Sequence, residues 1–239
     1  MMRLFNRIAK VKVHGDVDVS VYRSVRSKLR IAIASVPGPM VKGKISFVIT
    51  ETTTNYGLPH TLEHLVFMGS TNYPYKGFLD VIANRCKFGF WNKRLYLSGL
   101  YSLYVEHFWP GWILKTLPIF IDHLLSPLLT DAQYLTEVHH VDGSGADSGV
   151  VYSEMQDLEN DMEIIVDRKR KQLFYPPGSS YAVSTGSRLE ELRTQCSASV
   201  LGNFTGASTI SICLLPSLAT LTMMHCFKLW QKWKNQTSH

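Results

Sequence analysis

The stretch Gly57-Leu58-Pro59-His60-Thr61-Leu62-Glu63-His64 decides how the rest of this chain is read. On a helix His60, Glu63 and His64 stand three and four residues apart, so two imidazoles and a carboxylate project from one face. Pro59 suits a first helical turn, where its missing N–H costs nothing. Leu62, Leu65, Val66 and Phe67 supply an apolar flank that can bury the helix in a core, and Gly69-Ser70 ends it. In the pattern H-x-x-E-H the histidines hold zinc (Zn2+) through ring nitrogens, while the glutamate stays unligated and takes a proton from the metal-bound water. A third ligand has to come from elsewhere. A plainer reading is also open at this point, a pair of solvated or core-satisfied histidines on an amphipathic helix, because so short a pattern arises by chance.

Working outward, the hydrophobic patterning predicts strands first and helices after. Val17, Val19 and Val21 alternate, as do Ile31 and Ile33, and then Ile45, Phe47 and Ile49, giving strands over 17–24, 29–36 and 41–50. The metal-binding pattern predicts a helix at 58–68. A second helix begins near Gly77 with Leu79, Val81, Ile82 and Ala83 apolar, and a third covers 114–125, where Leu117, Ile121 and Leu125 share a face. Further on, Val150-Val151-Tyr152 reads as an apolar, strand-like run that leads through Glu154 into a polar helix over 155–172. From such a helix start a carboxylate can turn inward, or simply stabilise the helix N-terminus. The expected fold class is α+β.

A length of 239 residues with 45% hydrophobic content supplies ample material for a core. Cys86, Cys196, Cys213 and Cys226 form no C-x-x-C pair, and the sequence carries no signal-peptide pattern, so reduced thiols are expected rather than a disulfide scaffold. The net charge of +6 raises nucleic acid as a partner. The basic residues are scattered, however, apart from Arg168-Lys169-Arg170-Lys171, which lies in a segment rich in Asp and Glu and reads as a solvated helix face; no nucleic-acid partner is expected. The expected compartment is cytoplasmic. Residues 1–12 contain Arg3, Arg7, Lys10 and Lys12 and no acid, so a short mitochondrial transit segment is the alternative.

The run from Gly57 to Ser70, followed by Tyr73-Pro74-Tyr75-Lys76-Gly77, resembles the pitrilysin and insulysin family of zinc metallopeptidases, and within it the presequence-protease branch. Val36-Pro37-Gly38-Pro39, Thr136-Glu137-Val138-His139-His140-Val141-Asp142-Gly143 and Gly149-Val150-Val151-Tyr152-Ser153-Glu154-Met155 agree with it. The resemblance implies an antiparallel sheet with helices on one face, forming half of a clamshell chamber. It implies Glu154 as the third zinc ligand beside His60 and His64, Glu63 as the catalytic base, and Glu137 as a second-shell support, although the insertion Gly143-Ser144-Gly145-Ala146-Asp147 separates Glu137 from Glu154. His139 and His140 are expected to be structural or surface groups, since adjacent helical residues point about 100° apart and cannot both face one ion. The expected partners are a peptide substrate and a second peptidase half or subunit. A catalytically silent zinc-binding or partner-binding homologue is the alternative.

Three segments follow: an N-terminal extension at 1–14, a peptidase N-terminal domain at 15–196, and a divergent tail at 197–239. Within the domain, 87–113 departs from the family. Relatives place there a strand pair whose edge receives the substrate, whereas this chain reads Phe88, Phe90, Trp91, Tyr96, Tyr101, Tyr104, Phe108, Trp109 and Trp112. Two readings stay open, a replaced hairpin with the same backbone role or a reading-frame shift, because the match stops at Cys86 and resumes at Leu114. In the tail, 209–227 carries no formal charge. Pro216, His225 and several hydroxyl residues favour a buried core segment or a mistranslated tail over a membrane span.

Overall fold

The structure, a computed structural model, describes residues 5–25, 30–36, 41–48, 52–85, 95–97, 100–108, 110–184, 186, 188–206 and 209–215. Strands β1 (Phe5–Val13), β2 (Val17–Ser24), β3 (Arg30–Ala34) and β4 (Val41–Val48) lead into helix α1 (Leu58–Leu65), which tightens into a 3-10 turn at Val66–Met68. Then come α2 (Phe78–Arg85), β5 (Leu95–Leu97), β6 (Leu100–Phe108), α3 (Pro110–Leu125) and α4 (Asp131–Glu137). A short hairpin of β7 (His140–Val141) and β8 (Asp147–Ser148) precedes α5 (Val150–Glu159), α6 (Met162–Phe174), α7 (Leu189–Thr194), α8 (Ala198–Gly206) and β9 (Thr209–Leu215).

The larger sheet has seven strands in the order β1-β2-β3-β9-β4-β6-β5. All its pairings are antiparallel except β3 with β9, where Ile31 sits opposite Ile212. The helices cover one face. Ile31 and Ile33, two residues apart and so on the same side of β3, are each 2% exposed and join Leu65, Met68, Leu117, Ile121, Val151, Leu192 and Leu201 in a continuous core. The α+β class, with its sheet covered by helices, agrees with the sequence.

Several local expectations change. Phe5–Val13, which takes in two thirds of the stretch 1–12, is a strand paired along its length with β2. Within 87–113, Leu95–Leu97 and Leu100–Phe108 form an edge hairpin beside β4; residues 87–94, 98–99 and 109 lie outside the described residues. Thr209–Leu215, from the uncharged tail, is a central strand of the sheet, while 216–239 lie outside the described residues. One sheet thus draws strands from 1–14, from 15–196 and from 197–239. Among the described residues no helix is long and apolar enough to cross a membrane.

The run Val150-Val151-Tyr152 is not strand-like. It is the first turn of α5, and its apolar character is explained by burial of Val151 and Tyr152 against α4 and α7. The single helix expected over 155–172 is two, because Asp161 breaks it and caps α6, accepting from the backbone N–H groups of Glu163 and Ile164. On α2 Leu79 is buried, while Val81, one of the apolar positions of the pattern, is half exposed.

Candidate metal centre

Helix α1 starts at Gly57, whose φ of 69° is left-handed, with Pro59 in its first turn. It is driven into the core by Leu58 and Leu65 and buries His60, Thr61 and Glu63 with them. Helix α5 is brought alongside by a close backbone approach at its start. A Cβ on Gly149, whose φ is 134°, would lie 2.3 Å from the carbonyl oxygen of Val138, so only glycine fits there. The Tyr152 N–H then donates to that same carbonyl at 3.1 Å. Asp147 secures the hairpin against α5: it accepts from His139 Nε2 at 2.7 Å, from the Tyr152 hydroxyl at 3.2 Å and from Arg193 at 2.8 Å. The insertion 143–147 therefore closes a tight hairpin and leaves Glu137 and Glu154 near each other, on α4 and α5.

Three ligand atoms converge between these helices. His60 Nε2 lies 3.1 Å from Glu154 Oε2, His64 Nε2 lies 3.4 Å from the same oxygen, and the two Nε2 atoms are 3.2 Å apart. His60, His64 and Glu154 are the group among the described residues whose ligand atoms cluster closely enough for a metal ion; Glu63, buried at 3% exposure on the same helix, is not one of them. The other nitrogen of each ring is held from behind. His60 Nδ1 donates to the carbonyl oxygen of Gly186 at 3.3 Å, and His64 Nδ1 donates to Glu137 Oε1 at 3.2 Å. Lys76 Nζ in turn donates to Glu137 Oε2 at 3.1 Å. The His64 and Lys76 contacts hold the Glu137 carboxyl below its usual range, against the opposing effect of its burial.

These bonds decide what the site can do. A carbonyl oxygen only accepts, so the His60 proton sits on Nδ1, and a neutral ring then presents a lone pair at Nε2. The Glu137 carboxylate fixes His64 in the same way. Two imidazole lone pairs and a carboxylate oxygen therefore point into one small space, an arrangement that favours a cation. Ligand atoms about 2.0–2.1 Å from a tetrahedral zinc are separated by about 3.3–3.4 Å, close to the three distances here. The donor set of two nitrogens and one oxygen, with second-shell acceptors behind both rings, fits zinc.

The sequence brings His60, His64, Glu63, Glu154 and Glu137 forward; the structure brings His60, His64, Glu154 and Glu137 together from α1, α4 and α5, and buries Glu63 on α1. His139 points to Asp147 instead. Two supporting groups were not singled out. Lys76 lies in the quoted run Tyr73-Pro74-Tyr75-Lys76-Gly77 but has no local mark of its role. The Gly186 carbonyl belongs to a loop pinned by Asn55, whose Oδ1 accepts from Ser184 N at 2.7 Å and whose carbonyl accepts from Arg188 N at 3.2 Å; a main-chain acceptor 126 residues from its histidine leaves no side-chain signature.

No family model matches the chain. It is 53% identical over 185 residues to the uncharacterized protein C05D11.1 of Caenorhabditis elegans, an alignment covering 77% of this chain and 18% of that protein. It is 39% identical over 180 residues to the uncharacterized protein YOL098C of Saccharomyces cerevisiae, covering 74% and 17%, and 37% identical over 193 residues to the uncharacterized protein C3H1.02c of Schizosaccharomyces pombe, covering 79% and 18%. The chain thus spans less than a fifth of the length of the curated relatives it matches. Among solved structures it superimposes on the crystal structure of pitrilysin with a TM-score of 0.71 at 15% identity, covering 95% of this chain and 24% of that one. The likeness extends to nearly all of this chain, whose fold is pitrilysin-like.

Proposed function

We propose that this chain carries the zinc-binding half-site of a metalloendopeptidase, in which His60, His64 and Glu154 hold the metal and Glu63 is the general base. The observation that carries this reading is the convergence of His60 Nε2, His64 Nε2 and Glu154 Oε2, with the Gly186 carbonyl and Glu137 accepting behind the two rings. When bound, zinc supplies Lewis-acid polarisation of water and of a peptide carbonyl. Gly186 and Glu137 hold the two rings in their ligating tautomer, and Lys76 holds Glu137. The Glu63 carboxylate takes a proton from the attacking water as its oxygen bonds to the carbonyl carbon, and returns a proton to the amide nitrogen as the C–N bond breaks. Glu154 is 40% exposed at the side chain, so the half-site is open toward solvent. Full exclusion of water, on which much of the rate depends, then requires a covering partner such as the second half of a longer protein.

The test is zinc content and peptide cleavage of the purified chain beside two variants. About one zinc per chain is expected, lost in Glu154→Ala and kept in Glu63→Gln, with any peptide cleavage abolished in the latter. Cleavage surviving Glu63→Gln removes Glu63 as the base. A folded chain that takes up no zinc removes the metal reading and leaves a silent, partner-binding homologue.

A further inference from the structure

A cavity of about 170 Å³ lies beside the metal centre, between α5, α6 and the residues Ala182, Ser184 and Gly186. It shares walls with that centre. Met155 follows Glu154 on α5, and Gly186, whose carbonyl holds His60, lines the cavity with Met155 Sδ close against it. The volume suits one amino-acid side chain and is well short of the roughly 300 Å³ or more of a small-molecule site. Its floor is apolar, with Met155, Leu158, Ile164 and Ala182. Its charged wall is one face of α6, where Ile164, Asp167, Arg168 and Lys171 recur at helical spacing.

The charges on that wall are unequal in their commitments. Asp167 is already paired with Lys171 at 2.7 Å and with Arg170. Arg168 is different: its Nε is buried without a hydrogen-bond partner, and it forms no ion pair among the described residues. A buried guanidinium donor left unmet is costly, and a carboxylate is the acceptor that matches its planar fork. Glu159 also lines the cavity and would draw a basic side chain, but such a group would meet Arg168 and Lys171 on the facing helix. The solvated helix face expected for Arg168-Lys169-Arg170-Lys171 therefore holds for part of the run, while Arg168 and Lys171 turn toward the cavity.

We propose that this cavity is a specificity subsite that accepts an acidic side chain of a bound peptide, with Arg168 recognising its carboxylate. The proposal rests on the peptidase reading of the neighbouring centre. The experiment uses the zinc-loaded Glu63→Gln chain and measures fluorescence anisotropy of short, unstructured, dye-labelled peptides in which a single Glu, Gln or Lys is moved along an otherwise neutral sequence. At one position the Glu peptide is expected to bind about tenfold more tightly than its Gln counterpart. Arg168→Met erases that difference without changing zinc content or affinity for the Gln peptide, and Arg168→Lys keeps part of it. Equal binding of Glu and Gln peptides at every position, a preference for Lys, or a Glu preference that survives Arg168→Met overturns the subsite while leaving the peptidase reading standing. A folded, zinc-loaded chain that binds none of the peptides overturns both.

Discussion

His64 is held from two sides: its Nε2 faces His60 Nε2 and Glu154 Oε2, and its Nδ1 faces Glu137. Glu137 takes its Nδ1 proton and is itself tied to Lys76. Removing such a second-shell acceptor typically weakens a metal site by about 10–100-fold, so Glu137→Ala is expected to lower zinc affinity by that amount while a full site is still reached in excess metal; competition with a chromogenic chelator measures it. A second residue makes a pH prediction away from the centre. His123 has no exposed surface, donates Nδ1 to the Ile119 carbonyl at 2.9 Å and leaves Nε2 without a partner. Burial lowers its pKa, outweighing the opposing effects of the Ile119 bond and the adjacent Asp122; Tyr73 stacks on its ring. Since the unfolded chain takes up this proton more readily, the contribution of His123 is intact above the ordinary imidazole value of 6.5 and declines as pH falls below it. The Tm measured between pH 7.5 and 5 is expected to fall less steeply in His123→Gln. At this scale the pairing of His60 with His64 was legible from spacing alone, because one helix carries both. The groups behind them were not, because they arrive from distant loops and one is a main-chain carbonyl.

The placement of Glu154 is a property of α5 as an element. Gly149 sits where a side chain would collide with the Val138 carbonyl, and that carbonyl also receives the Tyr152 N–H. Gly149→Ala is therefore expected to push the start of α5 away from α4, costing about 2–4 kcal/mol and weakening zinc binding together with stability. Urea unfolding of the metal-free chain beside a zinc titration checks both parts; lost stability with unchanged affinity would separate the helix position from the site. The misreading of Val150-Val151-Tyr152 has its cause here. A short apolar run carries no period long enough to tell a buried strand from a buried helical turn, and the deciding contact, with Val138, is non-local. The break after α5 was similarly hidden, since Asp161 acts as a cap only where the preceding residues stop being helical. By contrast the α1 start was readable, because Gly57 and Pro59 mark it locally.

Across the whole molecule the decisive strand is β9. It lies between β3 and β4 and is paired with both, so the two halves of the sheet meet through it. Its alternation, Ile210, Ile212 and Leu214, was present in the sequence but was absorbed into a longer uncharged run and weighed by length rather than by period. Deleting residues 209–239 is expected to abolish the cooperative unfolding transition rather than trim a tail; far-UV circular dichroism with thermal melting reads the outcome, and a truncated chain that melts sharply near the parent's Tm would contradict it. The edge hairpin β5–β6 illustrates the reverse case. Its aromatic residues obscured the family pattern, yet the backbone pairing with β4 depends on main-chain groups that any such sequence presents.

The position of β9 also dictates an order of events for a chain emerging from the ribosome. The meander of β1, β2 and β3 and the set of β4, β5 and β6 are each complete early, but the strand that joins them is made after every described helix. Until then β3 and β4 expose open edges, which are templates for pairing with other chains. Final closure of the sheet is a long-range step of high contact order, so folding is expected to be slow and completed only after β9 has emerged. The window before that closure is where a nascent chain of this kind is most exposed to aggregation and most dependent on chaperones.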